Sequence, residues 1–169
     1  MSTTALRIEP ATIEDVPTIL ALIRELAEYE KLADAVVATE ERLRESLFGP
    51  KPAAEAIIAR LENQSVGFAL FFQNFSTFRA QPGLYLEDLY VCPAMRGRGI
   101  GLALLARLAG IAKERDYGRV EWAVLEWNSP AIGFYDKLGA KPMSDWIVYR
   151  LTGDALDALA SRSDSSTVN

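Results

Sequence analysis

The 169 residues are half apolar and 24% charged, enough for one domain with its own hydrophobic core. Their net charge of −5 argues against a nucleic-acid partner, which a basic face would serve, and leans towards a cationic one. With no histidine and Cys92 as the single cysteine, the chain excludes a Ser-His-Asp triad, a Cys-His pair, a disulfide framework and a histidine- or thiolate-held metal, so no metal is expected and acid–base chemistry falls to carboxylates, tyrosine, lysine, that thiol or water.

In chain order, "LRIEPAT" alternates apolar and polar residues and predicts a strand. "DVPTILALIRELAEYEK" carries Val16, Ile19, Leu20, Ile23, Leu26 and Ala27 at helical spacing, with Thr12 and Asp15 spaced for a capping box and Pro17 near the first turn. "TEERLRESLFG" predicts a short helix with a threonine cap, acids in its first turn and Gly49 as its stop. "AEAIIAR" and "SVGFALFFQN", joined by "LENQ", predict an antiparallel hairpin, and "GLYLEDLYVC" a further strand. The run "RGRGIG" leads into a helix to about Arg115, followed by the strand "RVEWAVLEW". "NSPAIGFYDKLGA" has every terminal signal of a helix: Asn128 or Ser129 as cap, Pro130 at its start and Gly139 past its end. "DWIVYRL" predicts a last strand and "GDALDALA" a short helix. The expected organisation is one domain over residues 1–160 and a polar, disordered tail over 161–169. Hairpins early and strand-helix-strand units late predict a mixed sheet. No apolar run reaches the ~18 residues of a membrane span, "MSTTALRIEP" lacks the apolar core of a secretory signal, and a lone cysteine fits a reducing cytoplasm.

Gly97, Gly99 and Gly101 alternate just before a strong helix. Without side chains the backbone N–H groups approach a ligand closely, and the first helical turn leaves its own N–H groups without intrahelical partners. With the helix dipole this suits a phosphate or pyrophosphate, and Arg96 and Arg98 add positive charge. A P-loop is excluded, since no Gly-Lys-Ser/Thr follows, and the glycines are spaced G-x-G-x-G, not G-x-G-x-x-G. The alternative is a helix start that only needs flexible residues.

"YLEDLYVCPAMRGRGIGLALL" with "EWNSPAIGFYDKLGA" downstream resembles the GNAT superfamily of acetyl-CoA-dependent N-acetyltransferases. Its Arg/Gln-x-x-Gly-x-Gly/Ala signature is matched by Arg96, Gly99 and Gly101. "LIRELAEYEKL", "LYLEDLYV", "RGRGIG" and "EWNSPAIGFY" bring it closest to the diamine (spermidine/spermine and thialysine) acetyltransferase branch. The resemblance implies an α/β (α+β) single-domain fold with a mixed, mostly antiparallel sheet flanked by helices, and a cytoplasmic homodimer. The backbone of Leu89, Tyr90 and Val91 would pair with the pantetheine arm of acetyl-CoA at a splay between strands. The residues Arg96, Gly97, Arg98, Gly99, Ile100, Gly101 and Leu102 would hold the pyrophosphate, and Asn128, Ser129, Pro130 and Ala131 would also contact the cosubstrate. Tyr135 would sit beside its sulfur. Tyr29, Glu30, Glu87, Glu121, Trp122 and Ala123 would line the acceptor site. Where the polyamine enzymes carry an acidic, tryptophan-bearing loop, this chain has "NFSTFRAQPG".

Acetyl transfer to an amine needs a neutral amine, a polarised thioester carbonyl and a proton for the leaving thiolate. Glu87 is the expected base or ammonium holder, and a water-exposed pair with Asp88 at a strand end is the alternative. Tyr135 is the expected acid, and an ordinary half-buried aromatic beside Phe134 is its alternative. A backbone N–H of the "LYV" strand would polarise the carbonyl. Cys92 lacks any histidine to activate it and reads as structural, while "FALFFQNF" reads as sheet core and a possible dimer surface. The expected acceptor is a small cationic amine of the polyamine, diamine or thialysine kind. The alternatives are a protein N-terminus and a CoA-binding regulator without turnover.

Overall fold

The structure is a computed structural model that describes residues 5–163; most of the expected tail, 164–169, lies outside the described residues. The chain falls into two compact units, the first ending at Ala123 and the second beginning at Val124. The first contains a five-stranded sheet in the order β1 (Leu6–Pro10), β2 (Glu55–Leu61), β3 (Gln64–Ser76), β4 (Gln81–Val91), β5 (Val120–Trp122). The first four strands pair antiparallel and β5 lies parallel to β4, so the expected mixed, mostly antiparallel sheet is present. α1 (Val16–Tyr29) and α2 (Glu40–Phe48) lie between β1 and β2, and α3 (Ile100–Glu114) is the crossover from β4 to β5.

The expected helix signals act locally. The Thr12 N–H donates to Asp15 Oδ2 at 2.8 Å, and Thr39 Oγ1 accepts from the Arg42 N–H at 3.2 Å at the start of α2. The pleat then sorts the side chains. Ile58 is opposite Phe68, and Phe68 opposite Tyr90, so the three share one face. They form a core with Ile19, Leu22 and Leu26 of α1 and Leu47 of α2. Ile57, Ala69, Leu84 and Leu86 point to the other face, against which α3 packs with Ile100, Leu104, Leu108 and Ile111 buried at helical spacing.

One irregularity decides how the site is laid out. Leu70 is opposite Asp88 but Phe71 is opposite Leu86, so Glu87 is the extra residue of a β-bulge. Without it, strict alternation would place Leu86, Asp88 and Tyr90 on one face. With it, Leu84 and Leu86 keep the α3 face while Asp88 and Tyr90 turn to the α1 face.

Two expected strands differ from the prediction. β5 stops at Trp122 and does not run on to Trp127. Its ladder ends at Leu86↔Trp122, one residue before the bulge interrupts the register of β4. The last strand, expected over 145–151, is not formed. Its β-branched and aromatic residues have strand propensity, but propensity becomes structure only where a neighbouring strand takes up the backbone N–H and C=O groups. No strand pairs with this segment among the described residues, and Trp146, Ile147, Val148 and Tyr149 are exposed. The second unit instead contains α4 (Ser129–Lys137), a stretch without regular secondary structure, and α5 (Gly153–Ala160). Asn128 caps α4, its side-chain oxygen accepting from the Ala131 N–H at 3.4 Å, and Gly139 past its end has φ +82°.

Candidate active site

β4 ends at Val91, a single turn of 3-10 helix spans Pro93–Met95, and the glycine run leads into α3. Gly97 and Gly99 have φ of +74° and +77°, a conformation that L side chains rarely adopt. A Cβ at either would meet nothing within 4 Å, so the space over the helix end is open. The first helical bond is the Ala103 N–H to the Gly99 carbonyl, so the N–H groups of Ile100, Gly101 and Leu102 precede it at the positive end of the dipole. Positive φ and open space together fit an oxyanion approaching the backbone, and the residues present suit the pyrophosphate of CoA.

The two arginines differ. Both are exposed, but Arg98 Nη1 lies 3.1 Å from Met95 Sδ. Arg96, expected to add charge beside the run, has its guanidinium 4.5 Å above the Tyr29 ring, and its Nε donates to the Val91 carbonyl at 3.0 Å.

Leu89, Tyr90 and Val91 pair with Ala69, Phe68 and Gly67 of β3 on one side. On the other side the β5 ladder has already ended at Leu86, and no other strand takes its place among the described residues. A sheet edge left open midway along a strand is what a β-strand-like ligand such as pantetheine pairs with. The Tyr90 side chain is buried in the α1 face, its hydroxyl donating to Glu25 Oε2 at 3.1 Å, and burial with the Glu25 charge pushes its pKa up to about 12.

The carboxylates are distributed unlike the expectation. Glu87, at the apex of the bulge, is exposed, whereas Asp88 is half-buried on the α1 face. Burial first, then the charges of Glu87 and Glu30, push Asp88 up to about 6. Glu30, at the C-terminal end of α1, is raised by burial. Asp88 is thus neither at a strand end nor open to water, and it is the carboxyl group that the sequence reading passed over. The signal was there in "LEDL": an acid on each side of a change in alternation. What the sequence cannot supply is the register against β3 that makes Glu87 the bulged residue.

Glu121 on β5 is held by Asn74 Nδ2 at 2.9 Å and by Arg119 Nε at 2.8 Å, so its charge is already met. Trp122 is half-buried and Ala123 exposed. Cys92 is half-buried, its thiol pushed up by burial and then by the Glu25 charge, which suits a structural cysteine and not a nucleophile.

In the second unit, Asn128 is buried at the head of α4, followed by exposed Ser129 and Pro130 and half-buried Ala131. Tyr135 is half-buried two turns on, its ring centroid 5.5 Å from that of Phe134 and inclined at 47°.

The model of the acetyltransferase (GNAT) family matches residues 20–140. The thialysine N-epsilon-acetyltransferase of Bos taurus is 38% identical over 88% of this chain and 93% of its own length. The L-ornithine N5-acetyltransferase NATA1 of Arabidopsis thaliana is 34% identical over 90% of this chain and 87% of its own. Among solved structures, an integron cassette protein from the mobile metagenome of V. cholerae superposes with a TM-score of 0.79 at 28% identity, covering 94% of this chain and 99% of that one.

Proposed function

The chain belongs to the GNAT family of acetyltransferases, and on that premise we propose an N-acetyltransferase that transfers the acetyl group of acetyl-CoA to the primary amine of a small cationic acceptor, a thialysine-like amino acid or a diamine. The observation that carries this reading is a continuity along β4. Asp88, a carboxylate with an elevated pKa on the α1 face, is followed directly by the open edge Leu89–Val91, and then by the glycine run at the head of α3. In this reading acceptor, acyl group and pyrophosphate follow one another along that stretch of backbone. The relatives named for thialysine and ornithine act on amines carried by amino acids, which supports the amino-acid acceptor over a long polyamine.

The proposed division of labour follows. Acetyl-CoA supplies a thioester whose acyl carbon is open to attack by a neutral amine. The backbone N–H groups from Gly97 to Leu102 hold the pyrophosphate, and the backbone of Leu89 to Val91 orients the pantetheine arm and offers an N–H to the thioester oxygen. Asn128 to Ala131 make further contacts to the cosubstrate. Asp88, Glu30 and Glu87 provide the negative field that attracts an ammonium group, with Tyr29 next to Glu30 at the end of α1. Asp88 replaces Glu87 as the leading carboxylate in this scheme. Tyr135 donates the proton that the departing thiolate needs.

Turnover tests the reading: thiol release from acetyl-CoA is expected with thialysine, ornithine or a short diamine, and not with a peptide N-terminus. A Gly99→Asp variant is expected to fold, since a Cβ there meets no neighbour and aspartate is among the residues that tolerate positive φ. Its carboxylate would repel the pyrophosphate, so calorimetry should show CoA affinity reduced by at least tenfold. Unchanged affinity would overturn the pyrophosphate assignment, and CoA binding without turnover on any amine would favour a regulator.

The proposed setting is the cytoplasm, as one domain over residues 1–160 with two copies associated. Phe68, Ala69 and Phe71 of β3 are consumed by the core, so of the two segments expected to serve association 145–151 is the exposed one. Light scattering is expected to give the mass of a dimer at micromolar concentration, and a monomer mass would count against it.

A further inference from the structure

Arg96 precedes the glycine run, where a phosphate ligand would be expected, yet its side chain, though exposed, lies against Tyr29 and Tyr90. Its guanidinium carbon is 4.5 Å from the centroid of Tyr29 and 5.6 Å from that of Tyr90, and its Nε donates to the Val91 carbonyl at 3.0 Å. Tyr29 is the last residue of α1 and is followed by Glu30; Tyr90 is fastened to the same helix one turn earlier through Glu25. A single cation therefore bridges three parts of the first unit: the end of β4, the C-terminal end of α1 and the loop that carries Gly97 and Gly99. The stack is a cation–π contact, which fixes distance while leaving the guanidinium edge free to move.

We propose that Arg96 is a positioning residue that couples the acceptor side of the site to the cosubstrate side, so that the amine and CoA bind cooperatively. An ammonium drawn to Glu30 and Asp88 holds the end of α1, and with it the Tyr29 ring. The ring holds Arg96, and Arg96 holds the loop in the conformation that presents its N–H groups. Coupling of this kind is reciprocal: whatever the amine adds to CoA affinity, CoA adds to amine affinity. The inference rests on the acceptor reading above, in which Tyr29 and Glu30 border the amine.

The test uses CoA itself, which carries no acetyl group, so that thialysine can be added without transfer consuming either ligand. Its dissociation constant is measured by calorimetry without and with saturating thialysine, in parallel with acetyl-CoA turnover. For the unsubstituted protein, CoA is expected to bind about fivefold more tightly in the presence of the amine. In Arg96→Gln and Tyr29→Leu this ratio should fall to about one, while Tyr29→Phe, which keeps the ring, should retain it. Simple loss of a phosphate contact or an amine contact would shift both constants together and leave the ratio alone, so a retained ratio in Arg96→Gln overturns the proposal. So does a ratio of one in the unsubstituted protein. Turnover with no coupling defeats this inference alone, whereas absence of amine turnover defeats the acceptor reading with it.

Discussion

Replacing Tyr135 by phenylalanine is expected to lower turnover by roughly 10²–10⁴, the range for a lost general acid, with CoA affinity changed by no more than about twofold. The chemistry sets this expectation. A phenol has a pKa of about 10 and a thiol about 8.5, so proton donation to the departing thiolate is uphill by about 2 kcal/mol, feasible for a group within hydrogen-bond reach. No histidine exists to substitute, and water is a poorer acid still. Phenylalanine keeps the ring packed beside Phe134, so the helix should be undisturbed. A loss in turnover smaller than tenfold, with chemistry shown to be rate-limiting, would reduce Tyr135 to a packing residue and leave solvent as the proton donor.

Much of the local structure that carries the candidate residues was legible in the sequence because its determinants are local. Gly97 and Gly99 are favoured by positive φ, Asn128 and Pro130 by the start of α4, and Thr12 with Asp15 by the entry to α1. Each involves residues a few positions apart. What the sequence hid are relations across long separations. The bulge at Glu87 exists only relative to β3, and it alone decides that Asp88, not Glu87, turns to the α1 face. Likewise Arg96 was assigned to the anion by its position in the motif, but its side chain goes to Tyr29 on α1, a helix that ends 67 positions earlier. The segment 145–151 misled for the opposite reason. Its local signal for a strand is strong, and the structure gives it no ladder to join.

The second-order rate constant for the amine is expected to rise about tenfold per pH unit between 7 and 9, and to fall more steeply still below pH 6. An ammonium with pKa about 10.4 must lose its proton before attack. Handing that proton to Asp88, pushed up to about 6, is uphill by about 4.4 units, or roughly 6 kcal/mol. Losing it to water at pH 8 is uphill by only about 2.4 units, or roughly 3 kcal/mol. Bulk water is the better sink, so the rate should follow the neutral fraction of the amine. Asp88 is expected to contribute by charge alone, holding the ammonium. Below pH 6 its protonation removes that charge, and the logarithmic slope should steepen from about one towards two. Asp88→Asn should abolish the steepening, keep the rise from 7 to 9, and raise the KM for the amine. The same substitution should stabilise the fold. A carboxyl whose folded pKa is raised by burial and like charge contributes stability that is complete below its unfolded value near 4 and lost as pH rises through about 6. Asparagine is free of that loss, so urea midpoints should show Asp88→Asn more stable by about 1–3 kcal/mol at pH 8 and nearly unchanged at pH 4. A profile that is flat from pH 6 to 9 would mean that the proton passes to a group of the protein before it reaches water, and the role given to Asp88 would fall.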